Sequence, residues 1–173
     1  MILSDYFLRR RVRSLLNHPI SSKRKSCSFE KENCVLLFYR DTDREEVLSS
    51  LSKLTQKKNW RHVVFTERED IKEEQTYTNT IWIKKSQLSI WAFPSVSVLD
   101  ETRNIETNLL IDLTRDICYP LLYLFLKHPA GMKVGLKKSL DDIYDFTLSV
   151  NKKEKIAYIF QQIVFYLQTI CRK

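Results

Sequence analysis

Cys34-Val-Leu-Leu-Phe-Tyr39 is a continuous apolar run, too short for a typical helix, and it reads as a strand buried on both faces. The residues after it decide the fold. Asp41 to Asp43 turns the chain, Thr42 or Asp43 caps a helix with the stripe Val47, Leu48, Leu51 and Leu54, and Trp60 to Thr66 makes a second strand. A strand, a helix and a strand within about thirty residues are the signature of a parallel crossover.

The alternation continues downstream. Glu67 to Asn79 is charged and reads as a loop or a poorly formed helix, and Thr80 to Lys84 as a third strand. Leu88 to Phe93 is apolar but is stopped by Pro94, and Ser95 to Ile105 reads as a short helix. Asn108 to Leu113 is another buried strand. Ile117 to Lys127 is a strongly apolar helix that tolerates Pro120 in its first turn. Met132 to Leu136 and Tyr144 to Val150 are the last strands, and Lys153 to Cys171 is a helix whose wide apolar stripe packs across the sheet. The pattern predicts a single three-layer α/β domain over residues 32–173, with a mainly parallel sheet of five or six strands.

Residues 1–31 differ in character. Ser4 can cap a helix from Asp5 to Leu16, with the stripe Phe7, Leu8, Val12, Leu15 and Leu16. Ile20 to Lys31 is polar and reads as a tether. Arg9, Arg10, Arg11, Arg13, Lys23, Arg24 and Lys25 face Asp5 alone within residues 1–26, which therefore carry six of the chain's eight net positive charges. The other residues are nearly neutral, with 22 basic and 20 acidic side chains. A balanced body with a basic helix points to a polyanionic partner: RNA, DNA or an anionic membrane surface. The alternative is a merely solubilising helix.

Several functions are excluded. With only Gly131 and Gly135, neither a dinucleotide-binding glycine turn nor a phosphate-binding loop can be written, so no nucleotide cofactor is expected. Cys27, Cys34, Cys118 and Cys171 form no C-x-x-C pair and have no metal-ligand spacing with His18, His62 or His128, so no metal is expected. They read as the reduced thiols of a cytoplasmic protein. No segment has the length of a membrane span, and no export signal precedes Arg9.

The stretch from Leu109 to Leu122, with Lys133-Val-Gly-Leu136, Tyr144-Asp-Phe146 and Tyr166-Leu167, resembles a family of short Bacteroidota proteins classed as a domain of unknown function. The resemblance covers nearly the whole chain and implies a Rossmann-like fold in the bacterial cytoplasm with a basic N-terminal helix, but no particular activity. The Leu109–Leu122 stretch also resembles, more weakly, one half of heptosyltransferase-type glycosyltransferases. Those enzymes use two facing domains, whereas one is predicted here.

In an open parallel sheet, ligands collect at the carboxyl ends of the strands where the strand order reverses. Asp41 and Asp43 follow the first strand, and Asp112, Thr114, Arg115 and Asp116 lie at the end of the fourth, so adjacency of those strands would bring them to one crevice. There they could bind a cation or serve as acid and base, whereas the plainer expectation makes Asp43 and Asp116 helix caps and Asp112 a partner of loop amides. His62 reads as a half-buried sheet residue, and His18 and His128 as cations suited to helix C-termini. Trp82, Trp91 and Phe93 with Lys84 and Lys85 are of the type that stacks on single-stranded bases, although core packing is the commoner use. Phe165 and Tyr166 widen the last helix's stripe enough for a protein partner or a homodimer. The sequence therefore favours a non-catalytic protein that associates with RNA or a ribonucleoprotein such as the ribosome through its basic helix. A small enzyme or sugar- or phosphate-binding protein using the strand-end aspartates, and a protein interaction module, are the alternatives.

Overall fold

The computed structural model describes residues 4–17, 29–54, 57–70, 79–140, 143–151 and 153–170. Strands β1 (Cys34–Arg40), β2 (Asn59–Thr66), β3 (Thr80–Lys84), β4 (Leu109–Asp112), β5 (Met132–Leu136) and β6 (Phe146–Leu148) form one sheet. Every pairing is parallel, and the order is β3-β2-β1-β4-β5-β6. Helices α1 (Ser4–Asn17), α2 (Arg44–Ser52), α3 (Val96–Arg103), α4 (Tyr119–Lys127) and α5 (Ile156–Ile170) cover it. The fold is a single Rossmann-like α/β domain, and the direction of winding reverses between β1 and β4.

Residues of alternating parity on the strands feed two separate cores. On one face Leu36, Phe38, Val63, Phe65 and Leu110 meet the apolar sides of α1 and α4, with Val98 and Leu99 of α3 against them. On the other, Val35, Leu37, Val64, Ile111 and Val134 meet Val47 of α2 and Ile159, Phe160, Ile163 and Leu167 of α5. Cover on both faces is why β1 and β4 can be apolar throughout.

The N-terminal helix is not an appendage with few core contacts. Leu8, Val12 and Leu15, at helical spacing, are buried in the cluster that contains Leu121, Leu122 and Phe125 of α4. Arg9 lies with its guanidinium carbon 4.9 Å from the centre of the Tyr119 ring. The tether was expected to reach Lys31, but Phe29 is fully buried in the opposite core; residues 18–28, which include Lys23, Arg24, Lys25 and His18, lie outside the described residues.

Local departures from the expected elements have local causes. Leu88 to Phe93 forms no strand, and β6 is limited to three residues. Ser95 caps α3, its Oγ accepting from the Val98 N–H at 3.3 Å. The expected caps at Asp43 and Asp116 are corrected: Asp43 occupies the N-cap of α2 without a side-chain capping bond, and the N-cap of α4 is Cys118, which leaves Asp116 outside the helix and exposed.

Two histidines are more buried than the sequence suggested. His62 Nδ1 lies 3.0 Å from the Tyr39 hydroxyl, joining β2 to β1. Burial lowers its pKa to about 4, and the charges of Arg44 and Arg61 act in the same direction. His128 was expected to be a cation, yet burial also lowers it to about 4. Its Nδ1 accepts the Ala130 N–H at 3.1 Å, which places the proton on Nε2, 3.1 Å from the Ile105 carbonyl. Both rings are held neutral.

Two outcomes are expected. Leu8→Ala or Val12→Ala should lower unfolding free energy by about 2–4 kcal/mol in urea titrations, since each truncates a fully buried side chain; a loss below about 0.5 kcal/mol would place α1 outside the core. Below the ordinary histidine pKa of about 6.5, the unfolded chain protonates imidazoles that the fold keeps neutral down to about 4. Stability should therefore fall as the pH drops through this window, by about 1.4 kcal/mol per pH unit for each histidine. Urea midpoints that stay level between about pH 6.5 and 4.5 would contradict it.

Candidate functional site

β1 and β4 are neighbours, paired Leu36 with Leu110 and Phe38 with Asp112, so their C-terminal ends open at the point where the winding reverses. The residues placed there divide into separate groups. Asp41 turns toward β2, where its Oδ2 lies 3.4 Å from the Thr66 hydroxyl and 3.2 Å from Arg68 Nε. Asp43 is half-buried, and burial raises its carboxyl pKa while the positive charge of Arg115 opposes the rise. Asp116 points to solvent. The turn Asp41–Asp43 sets carboxylates at the start of α2, where a dinucleotide fold would place glycines and a pyrophosphate.

Asp112 and Thr114 belong to a buried polar network that the sequence did not indicate. Asp112 Oδ1 accepts from the Thr114 N–H at 2.8 Å and the Thr114 hydroxyl at 2.6 Å. Oδ2 accepts from Lys138 Nζ and from the Tyr144 hydroxyl, each at 2.6 Å. Lys138 Nζ also donates to Thr114 Oγ1 and to Tyr144 Oη, both at 2.7 Å. The ammonium thus has three acceptors and the carboxylate four donors, which is the capacity of each group. Burial, the Asp112 charge and its hydrogen bond push the Tyr144 phenol well above its ordinary pKa, so it remains a donor. Gly135 is required beside it, because a Cβ there would run into the Tyr144 ring. With the side chains of Lys138 and Asp112 each only 2% exposed, this network joins β4, β5 and the segment before β6 and leaves no lone pair for substrate or metal. Among the described residues no group of His, Cys, Asp and Glu could hold a metal ion.

Neither of the two described thiols is an activated nucleophile. Cys34 and Cys118 are free, and burial raises both, Cys118 to about 11. Cys27 and Cys171 lie outside the described residues.

The second candidate lies on the outer side of α1. Arg10, Arg11 and Arg13 are exposed, and among the described residues none has an ion-pair partner, whereas Arg9 pairs with Asp5 at 3.5 Å. The aromatic residues predicted as one cluster separate. Trp82 packs in the α2 and α5 core beneath Arg44, and Lys85 pairs with Glu67 at 3.6 Å. Trp91 and Phe93 instead face α1. Together Phe7, Arg10, Arg11, Ser14, Trp91 and Phe93 line an open pocket of about 530 Å³. Trp91 is 44% exposed and Phe7 46%, and their rings meet edge to face with centroids 4.6 Å apart. Sequence reading named the arginines and the rings separately; the docking of α1 that joins them depends on contacts between distant parts of the chain.

The chain belongs to a family of unknown function, DUF6913, whose model matches residues 5–170 and so includes α1 along with the sheet. No curated protein and no solved structure matches it.

The strand-end network should behave as a structural element. Lys138→Met leaves a buried carboxylate without its cation and should cost about 3 kcal/mol in urea titrations. Adding Asp112→Asn should recover part of that loss, because the uncompensated charge disappears. A cost below about 1 kcal/mol for Lys138→Met would mean that solvent reaches the pair.

Proposed function

We propose that the protein is a non-catalytic RNA-binding module of the bacterial cytoplasm, taking RNA alone or within a ribonucleoprotein such as the ribosome on the outer side of α1. The observation that carries this reading is the convergence on one open pocket of three aromatic rings and two guanidinium groups that have no ion-pair partner among the described residues. Phosphates need cations that are not already neutralised within the fold, and Arg10, Arg11 and Arg13 meet that need. Because α1 is anchored by Leu8, Val12 and Leu15, these charges occupy fixed positions. Lys23, Arg24 and Lys25, outside the described residues, bring three more positive charges within a few residues of α1 in the chain.

The enzymatic alternative has weaker support. It places chemistry at the strand ends, as the likeness to one half of heptosyltransferase-type enzymes would, but Asp112 there is already bonded to its capacity. Among the described residues no helix is long and apolar enough to cross a membrane.

Removing residues 1–26 would take Leu8, Val12 and Leu15 from the core, so a charge-only change is the cleaner test. Arg10, Arg11 and Arg13 replaced together by Gln keep helix propensity and leave the buried stripe intact. Fluorescence anisotropy with single-stranded RNA, across about 50 to 300 mM salt, should show affinity falling steeply with salt for the native chain. For the variant, the slope of log K against log salt should be shallower by about 2, corresponding to three lost phosphate contacts. Equal affinity and slope for both proteins, with matched melting temperatures, would remove the proposal.

A further inference from the structure

Resting on the RNA-binding reading above, we infer that the pocket between α1 and the loop Ser89–Phe93 takes one unstacked nucleobase of single-stranded RNA, with Trp91 as its stacking platform. The pocket's volume, about 530 Å³, is within the range of sites that hold small organic ligands. Its composition suits an anionic ligand with a flat apolar part: three aromatic rings share the lining with Arg10 and Arg11. A purely apolar partner would leave the guanidinium groups desolvated and unpaired, and a simple polyanion would make no use of the rings.

The loop is built to hold Trp91 outward. Ala92 has φ 62°, a left-handed conformation that alanine rarely adopts and that is retained only where surrounding bonds enforce it. Those bonds are present: the Ala92 N–H donates to the Ser89 carbonyl at 2.8 Å, the Ser89 N–H to the Phe93 carbonyl at 2.9 Å, and the Phe93 N–H to Ser89 Oγ at 3.1 Å. The rings on either side of Ala92 share the pocket but have different ring partners. Phe93 packs edge to face on Tyr123, with centroids 5.3 Å apart, while Trp91 stays on the surface beside Phe7. A core residue has no need of such a turn, whereas a stacking platform gains rigidity from it.

A base can enter only if it is unstacked, so single strands should be preferred to duplexes. The test uses the full chain with a fluorescein-labelled oligouridylate and with an RNA duplex of the same length. The native protein should bind the single strand more tightly. Trp91→Ala should lower affinity for the single strand on the order of tenfold while leaving duplex affinity and the salt slope unchanged, and Trp91→Phe should keep most of the affinity. Trp91 is 44% exposed and its packing is limited to the surface contact with Phe7 and the pocket, so melting temperature should fall by only a few degrees, about the worth of one aromatic pair. Native single-strand affinity in Trp91→Ala would overturn the base-stacking inference, and the RNA-binding reading would still stand if the arginine variant loses affinity. Failure of the native chain to bind either RNA would overturn both.

Discussion

An all-parallel sheet must be covered by apolar groups on both faces, because its strands are too hydrophobic to meet water on either side. In this protein that requirement sets the position of the N-terminal helix. α2 and α5 cover one face, and α1 shares the cover of the other with α4 and α3. The arginines of α1 therefore stand on a surface whose orientation the core determines. A charged segment on a loose tether would attract a polyanion but could not align it with a particular loop; a docked helix can.

The same sheet shows how a fold's usual ligand position can be filled from within. The strand order provides an opening between β1 and β4, and in many α/β proteins a ligand occupies such an opening. Here Lys138 supplies a cation for Asp112, and Tyr144 lies over Gly135 to close the network. Both carboxylate oxygens of Asp112, which might have met a ligand, meet donors of the protein instead.

What could be read from the sequence followed from how local the determining forces are. The runs of β1 and β4 were legible because a strand buried on both faces needs no partner to declare itself, and the stripe of α1 was legible at its own periodicity. The roles of Lys138 and Tyr144 were not, since Lys137-Lys138 resembles any exposed basic pair until the strand order brings it to Asp112, 26 residues away. The loop around Trp91 was misleading for a different reason: its apolar composition suits a strand or a core segment, and the left-handed turn at Ala92 uses a residue that gives no sign of it. Asp43 holds the expected N-cap position without a side-chain bond, and Asp116 lies outside α4, because a carboxylate near a helix start caps only when the backbone brings amide groups to it.

The docking of α1 on α4 also bears on the order in which the molecule assembles. The two helices are about a hundred residues apart in the chain, and a ribosome adds roughly 5–20 residues per second. The apolar stripe of α1 is therefore made several seconds before the helix that covers it. During that interval α4 is not there to cover the apolar side of this arginine-rich segment. Closing this contact carries the entropy of a long loop, a cost it shares with the packing of α2 on α5, which are separated by a similar length of chain.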